Sequence, residues 1–522
     1  MAGPKISKNT KFRLFLAALL MLAVLAAFQL LHATRWGLWA YSDSAAYMGT
    51  ARSLAQGRGF ILPLAGGGFD HYEQFPPLYP LLISMLGSVS GDFFQAARWL
   101  NVVACSLFIF LSGVTVYSTT KKTIPSLAAP ILLLVSPMMI TDFSGAMTEA
   151  VFLALLLLNN LALIRCLKAD NAVNRILLIA AAALLPVTRY IGIAALAVNA
   201  ILLIGFAAGA LRRRLVNTVI ITAASLLPLA VWTVYSYSTT AHVGGRGFAL
   251  NPLFLEWNLR AVFEMARVFR TFLPYLHRTT LVFPLAVAGY ALLVLVSTVH
   301  LWRAFRGGSL STRDAAETLQ LPLLTLAFVL FISLSYSITL GSFRIDDRQL
   351  SPLIPMLVIS SLILISVLLE SRSTPAWLGN VLVFLVFGLL FRYYWYQSRP
   401  LVNRLHAEGR GYAQRQYLQS GILPAIRAIP PEIPIISNTA GFTLYYDQRL
   451  ALQVERFLPQ RFGSGSTNGE REFREQGAAL LLLIPDFYTD HPEDADWLYP
   501  MVTEGLRPAY QDEVSAIFYY PD

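Results

Sequence analysis

Several groups of residues in this chain have the types and spacing to do chemistry. Asp43 stands in YSDSAAYMGTARSLAQGRGF, directly ahead of a stretch of helical character from Ser44 to Gln56. The backbone dipole stabilises a carboxylate at a helix N-terminus, which keeps Asp43 ionised and able to accept a proton. An ordinary N-cap is the structural alternative. Asp70, His71 and Glu73 fall together just ahead of the rigid Pro76-Pro77 turn. Their oxygen and imidazole donors could ligate a divalent cation or position a hydroxyl acceptor, although their spacing matches no strong ligand motif and a solvated loop explains them equally. Glu149 opens an apolar run in MTEAVFLAL, Arg189 interrupts one in TRYIG, Arg246 lies in GGRG, and Arg344, Asp346, Asp347 and Arg348 share FRIDDRQLSPLIP. A guanidinium can grip phosphate bidentately; snorkelling to an interface, or mutual ion pairing, are the competing readings.

Hydropathy dictates the elements that must hold these residues. Of 522 residues, 56% are hydrophobic and 13% charged, and the mean hydropathy is +0.56. One aqueous core cannot hide that much apolar surface. The charges crowd into short clusters between apolar runs of about 20 residues, the length that spans roughly 30 Å of hydrocarbon. Spans are expected at about 12–31, 93–118, 125–141, 147–167, 174–189, 191–209, 215–238, 280–302, 319–340, 350–370 and 376–396, which makes eleven. Pro77 to Val89 is apolar but short, as in an interfacial or re-entrant helix. Lys5, Lys8 and Lys11 precede the first span, and Lys121, Lys122, Arg165, Lys168, Arg175, Arg212, Arg213 and Arg214 fall on connections of the same side. The positive-inside rule then puts the N-terminus in the cytoplasm, the C-terminus outside, and the candidate residues on the outer face.

Asp142, Glu149 and Arg189 would be costly facing lipid, so they are expected to point into a protein cavity. In the Ser44 to Gln56 helix, Ala46, Met48, Ala51 and Leu54 are expected to face the bilayer while Arg52 stays polar. From about Arg399 the hydropathy falls. The chain divides accordingly into a transmembrane region, 1–398, with an outer loop at 32–76, and a terminal region, 399–522. The second region alternates a helix near Glu408 to Ile429, a strand Ile433 to Ser437, a helix near Gly441, a strand Ala479 to Ile484, a helix near Asp494 to Gly505 and a closing strand pair. The fold class is therefore an α-helical polytopic membrane protein with a small C-terminal α/β extracytoplasmic domain.

The net charge of +10 comes from basic caps on hydrophobic segments, so topology explains it and a nucleic-acid partner is not expected. No Walker A loop, HExxH, GxSxG or CxxC occurs, which leaves nucleotide binding, zinc proteolysis and serine hydrolysis without support. Cys105 and Cys166 both lie in apolar segments and read as buried packing residues.

Taken in order, the N-terminal anchor, the loop YSDSAAYMGTARSLAQGRGF, PPLYPLL, MTEAVFLAL, TRYIG and DDRQLSPLIP resemble the GT-C superfamily of membrane glycosyltransferases. Within it, the chain resembles bacterial relatives of the dolichyl-phosphate-mannose protein mannosyltransferases and of the aminoarabinose lipid A transferases. The resemblance covers roughly residues 10–400. It implies a polyprenyl-phosphate sugar donor, a lipid, glycan or protein acceptor, and an active site on the outer face of the cytoplasmic membrane. It also implies Asp43 as the general base of an inverting transfer. Arg189, Arg246 and Arg348 become the candidates to hold the leaving lipid phosphate, and Asp70, His71, Glu73 and Glu149 the acceptor- or metal-side groups, with a divalent cation as possible cofactor. Two departures, Ser44 where many relatives place a second acid and Phe75 ahead of the proline pair, argue against metal dependence. A transporter or flippase of lipid-linked saccharides would also need a polar intramembrane cavity, but such proteins usually show duplicated halves, and none is visible here.

Overall fold

The computed structural model describes residues 8–241, 256, 258, 282–306, 312–338, 347–369, 376–453, 477–486, 503 and 506–519. Arg246, Arg344 and Asp346 lie outside these residues, as does nearly all of the expected helix near 494–505.

Helices dominate the first four hundred residues. They are α1 (Lys8–Ala33), α2 (Ser42–Ala55), α3 (Leu78–Ser90), α4 (Phe93–Thr120), α5 (Thr123–Leu134), α6 (Pro137–Phe143), α7 (Glu149–Lys168), α8 (Ala172–Thr188), α9 (Ile193–Phe206) and α10 (Leu211–Thr240). They continue with α11 (Val282–Arg306), α12 (Thr312–Ile338), α13 (Asp347–Leu350), α14 (Leu353–Leu368) and α15 (Ala376–Glu408). Among the described residues six helices are long and apolar enough to cross a membrane, within α1, α4, α7, α10, α12 and the α13–α14 segment, and the bent pair α5–α6 makes a possible seventh. The protein is a multi-pass membrane protein.

The expected eleven spans do not all meet that measure. Each of the eleven stretches carries helix, but α8 with its 17 residues reaches only about 25 Å. The stretch expected at 125–141 is bent by 63° between α5 and α6. Pro137 stands at the break; it lacks an N–H and pushes Ser136 out of helical geometry, so the two segments cannot continue as one.

Two strands, β1 (Ile61–Pro63) and β2 (Phe69–His71), form an antiparallel hairpin after α2. After α15 come α16 (Arg415–Gln419), α17 (Ile422–Ala428), β3 (Ile435–Ser437), α18 (Ala440–Asp447), β4 (Leu452–Gln453), β5 (Ala479–Leu483), β6 (Arg507–Gln511) and β7 (Ser515–Tyr519). The five strands form one mixed sheet of order β4-β3-β5-β7-β6. Helix α15 runs through the division expected at 398/399.

The sheet region grips the loop that carries Asp43. Leu450 exchanges backbone hydrogen bonds with the hairpin, donating to Pro63 O at 2.7 Å and accepting from Ala65 N at 2.9 Å, while Tyr412 N donates to Ala40 O at 2.9 Å. This contact overturns the bilayer-facing reading of α2: Met48 and Ala51 are buried, and α2 packs on α3 and α18. Arg52 is buried as well, donating to Tyr445 O at 2.6 Å with its guanidinium over the Phe94 ring. That burial lowers the arginine's pKa from its ordinary value.

Candidate active site

Four charged side chains from four separate segments meet at one end of the helical region. Asp43 lies in the first turn of α2, where Tyr41 is the N-cap, so the carboxylate is not the cap. Glu149 opens α7, Arg189 follows the last residue of α8, and Arg348 lies in α13 just ahead of Pro352. The turn after Arg189 is tight: a Cβ at Gly192 would strike the Leu185 carbonyl carbon and Pro186 N, so glycine is required for the short 3-10 turn Tyr190–Gly192 to fold back against α8.

The four form a chain of alternating charge. Arg348 Nη1 lies 3.0 Å from Asp43 Oδ2, Arg348 Nε 3.1 Å from Glu149 Oε1, and Arg189 Nη1 2.6 Å from the same Glu149 oxygen. Arg189 also donates to Thr148 Oγ1 at 3.4 Å. The two carboxylates differ in access. Glu149 has 1% of its side-chain surface exposed and Asp43 has 31%, so the cluster runs from a buried anchor to a carboxylate open to solvent. Beside it, Asp142 is buried, and Ser351 donates to Arg348 O at 2.8 Å. Asp142 Oδ2 and Glu149 Oε2 are both buried and accept from no described group. Buried carboxylate oxygens are ordinarily satisfied, so two together mark acceptor capacity available to a bound donor.

Supporting contacts fix this geometry. Asn101 of α4 donates to Phe143 O at 3.1 Å and accepts from Tyr79 Oη, also at 3.1 Å, while Trp39 Nε1 donates to Thr141 O at 2.6 Å. These bonds hold the connection between α6 and α7 that leads into Glu149. Tyr47 is buried one turn along α2 from Asp43. Burial, reinforced by the charges of Asp43 and Glu149, raises its hydroxyl far above the ordinary tyrosine value, so it is a neutral donor at any working pH.

The structure thus brings together Asp43, Glu149, Arg189 and Arg348. It joins none of Asp70, His71 and Glu73 to them by a hydrogen bond or ion pair among the described residues. Asp70 is exposed on the β1–β2 hairpin and accepts from the His71 backbone N–H at 2.8 Å. His71 Nδ1 and Glu73 Oε2 are buried and without a partner among the described residues. No three His, Cys, Asp or Glu side chains there are arranged to hold a metal ion. Sequence reading missed Asn101, Tyr47 and Thr148. An amide inside an apolar helix was the available signal for Asn101, since such a group needs internal partners; the other two gave none.

No protein-family model matches the chain, and no curated protein matches it in sequence. Solved structures do. ArnT from Cupriavidus metallidurans bound to undecaprenyl phosphate superposes with a TM-score of 0.56 at 15% identity, over 98% of both chains. The chain shares the fold of that protein. The likeness extends to the same ArnT in the apo state, at 13% identity and a TM-score of 0.54. It extends also to the archaeal oligosaccharyltransferase AglB from Archaeoglobus fulgidus, in complex with an inhibitory peptide and a dolichol-phosphate, at 11% identity and a TM-score of 0.53, over 97% of this chain and 74% of that one. The ArnT match includes the small sheet, because it covers nearly the whole chain and not the helical region alone.

Proposed function

We propose that the protein is a membrane glycosyltransferase that moves a sugar from a polyprenyl-phosphate donor to an acceptor hydroxyl, with inversion, on the outer face of the cytoplasmic membrane. The observation that carries this reading is the Asp43–Arg348–Glu149–Arg189 chain of alternating charge, built on the buried Glu149 and most open to solvent at Asp43, within a GT-C fold. ArnT has been solved with undecaprenyl phosphate and AglB with a dolichol-phosphate, and a donor of the same chemistry suits a site that offers two guanidinia.

The chemistry divides among the four residues. Asp43 takes the proton from the acceptor hydroxyl as its oxygen attacks the anomeric carbon. The bond from that carbon to the lipid phosphate breaks on the opposite side, and the phosphate leaves as a stable anion. No general acid is needed; what lowers the barrier is positive charge where the phosphate gains charge. Arg348 and Arg189 supply it. Glu149 is a positioning residue that holds both guanidinia from the buried side, while its unsatisfied oxygen and that of Asp142 accept from sugar hydroxyls. Arg246 is proposed as a further phosphate contact. Asp70, His71 and Glu73 are placed on the acceptor side. His71 and Glu73 offer a divalent cation two donors, fewer than such a cation usually takes from a protein, so the reaction is written without one.

In the proposed topology, with about eleven crossings and a cytoplasmic N-terminus, the sheet region lies outside beside the site. The test is reconstitution of the full chain in liposomes with a panel of radiolabelled polyprenyl-phosphate sugars and extracted membrane acceptors. Label in an acceptor supports the transferase. Label that crosses the bilayer still attached to its lipid, with none transferred, replaces the transferase by a flippase.

A further inference from the structure

A second polar site lies where α15 leaves the membrane. A cavity of about 950 Å³ opens there, lined among others by Arg404, Glu408, Arg410, Gln414, Arg415 and Gln419. The chain makes a special turn to build it. Gly409 and Gly411 have φ of +70° and +58°, and a Cβ on them would strike the carbonyl oxygens of Ala413 and Ala40 respectively. Only glycine allows both. The turn lifts Arg410 out of the helix and lays it over Trp39, with 5.3 Å from the guanidinium carbon to the ring centre.

Tryptophans hold two of the guanidinia where carboxylates usually would. Arg415 lies 5.7 Å from the Trp36 ring, which Arg35 also approaches at 5.5 Å, and the Trp36 indole N–H donates to His406 O at 3.0 Å. Arg404, Arg410 and Arg415 make no ion pair among the described residues. Three guanidinia therefore face a space whose one lining carboxylate is Glu408. Such a surface is a standing attraction for an anion.

The depth of the cavity indicates which anion. Trp395 and Tyr396 are exposed on α15 just before its charged end, the signature of an aromatic belt at the hydrocarbon boundary. Arg404 is eight residues further on, about 12 Å along the axis, at the height of the headgroups or just above them. Helix α1 leaves the membrane at the same level, because His32 at its end stacks on His406 at 3.9 Å.

We propose that this cavity binds the phosphate of an anionic lipid headgroup from the leaflet on the Asp43 side. The binding holds the end of α15 and the sheet region against the membrane surface, and it acts next to the catalytic loop through the Tyr412 to Ala40 hydrogen bond. It needs no sugar transfer, so it stands or falls independently of the enzymatic reading.

The experiment uses the full chain in phosphatidylcholine nanodiscs doped with a minor share of spin-labelled phosphatidylglycerol or spin-labelled phosphatidylcholine. The fraction of immobilised label gives the relative affinity of the two lipids. Wild type is expected to prefer phosphatidylglycerol roughly tenfold. The triple variant R404Q/R410Q/R415Q is expected to fall to near parity, and Glu408→Gln to raise the preference, an increase that misfolding cannot produce. Absence of preference in wild type, or its retention in the triple variant, overturns the proposal, even where inorganic phosphate alone binds the wild-type protein.

Discussion

Helix α7 begins at one acid and is followed at its far end by another, and the two are handled in opposite ways. Asp170, next after the helix but one, pairs with Arg175 five residues along, through two parallel hydrogen bonds of 2.6 and 2.8 Å. Both partners are partly exposed, at 17% and 30% of their side-chain surface. Glu149, about 30 Å away along the axis, is buried, receives guanidinia from two distant segments and keeps one oxygen without a described partner. A local exposed pair is worth little and serves to close a connection on the charged side of the membrane. A buried charge cluster drawn from distant segments is costly to assemble and carries no advantage over apolar packing unless something needs the charges. In the proposed reading, the difference separates anchoring from chemistry within a single helix.

The comparison breaks most visibly at Glu149. Glu149→Leu leaves Arg189 and Arg348, both partly buried, without their shared partner, so thermal unfolding in detergent is expected to show a loss of about 3 kcal/mol, with transfer abolished. A variant as stable as wild type would show that the cluster is not a unit. Arg348→Lys comes next. A lysine keeps the charge but cannot reach Asp43 and Glu149 from two nitrogens, so kcat/KM is expected to fall on the order of a hundredfold while stability changes by about 1–2 kcal/mol.

At the other end the effects are small. Asp170→Asn is expected to cost less than about 1 kcal/mol and to leave transfer untouched. The hydrogen bonds from Arg175 lower the Asp170 pKa below the ordinary carboxylate value. Its contribution is therefore present above about pH 4, the unfolded value, and is lost as pH falls through the folded one. Stability curves of wild type and variant should converge in acid; curves that stay parallel would show that the pair contributes nothing.

The two ends were not equally legible in the sequence. Charged residues at the edges of apolar runs stand out, which is why Asp43, Glu149, Arg189 and Arg348 could be named; their partnership could not, because Arg348 and Asp43 are 305 residues apart. The eleven apolar stretches were legible as helices, but not the bend at Pro137, which lies inside a single hydrophobic run. Helix α2 was misread for a physical reason. Apolar side chains on a short helix look the same whether lipid or protein covers them, and the partner here, α18, comes some four hundred residues later. Strands β3 and β5 were readable from their aliphatic runs and the closing pair was expected, but the two-residue β4 was not, and the backbone bonds between Leu450 and Pro63 and Ala65 use groups that every residue carries.

The central claim is that Asp43 is the base of a sugar transfer and Arg348 a phosphate ligand, held apart in role though paired in space. Asp43→Asn keeps the shape and removes the base. The measurement that tests the claim most directly compares this variant with wild type for both sugar transfer and undecaprenyl phosphate binding in the same proteoliposomes. The account predicts that kcat falls by a factor of about a hundred or more while the lipid phosphate binds at least as tightly, since Arg348 loses a competing carboxylate. Transfer at the wild-type rate, or loss of lipid binding in step with loss of transfer, would contradict it.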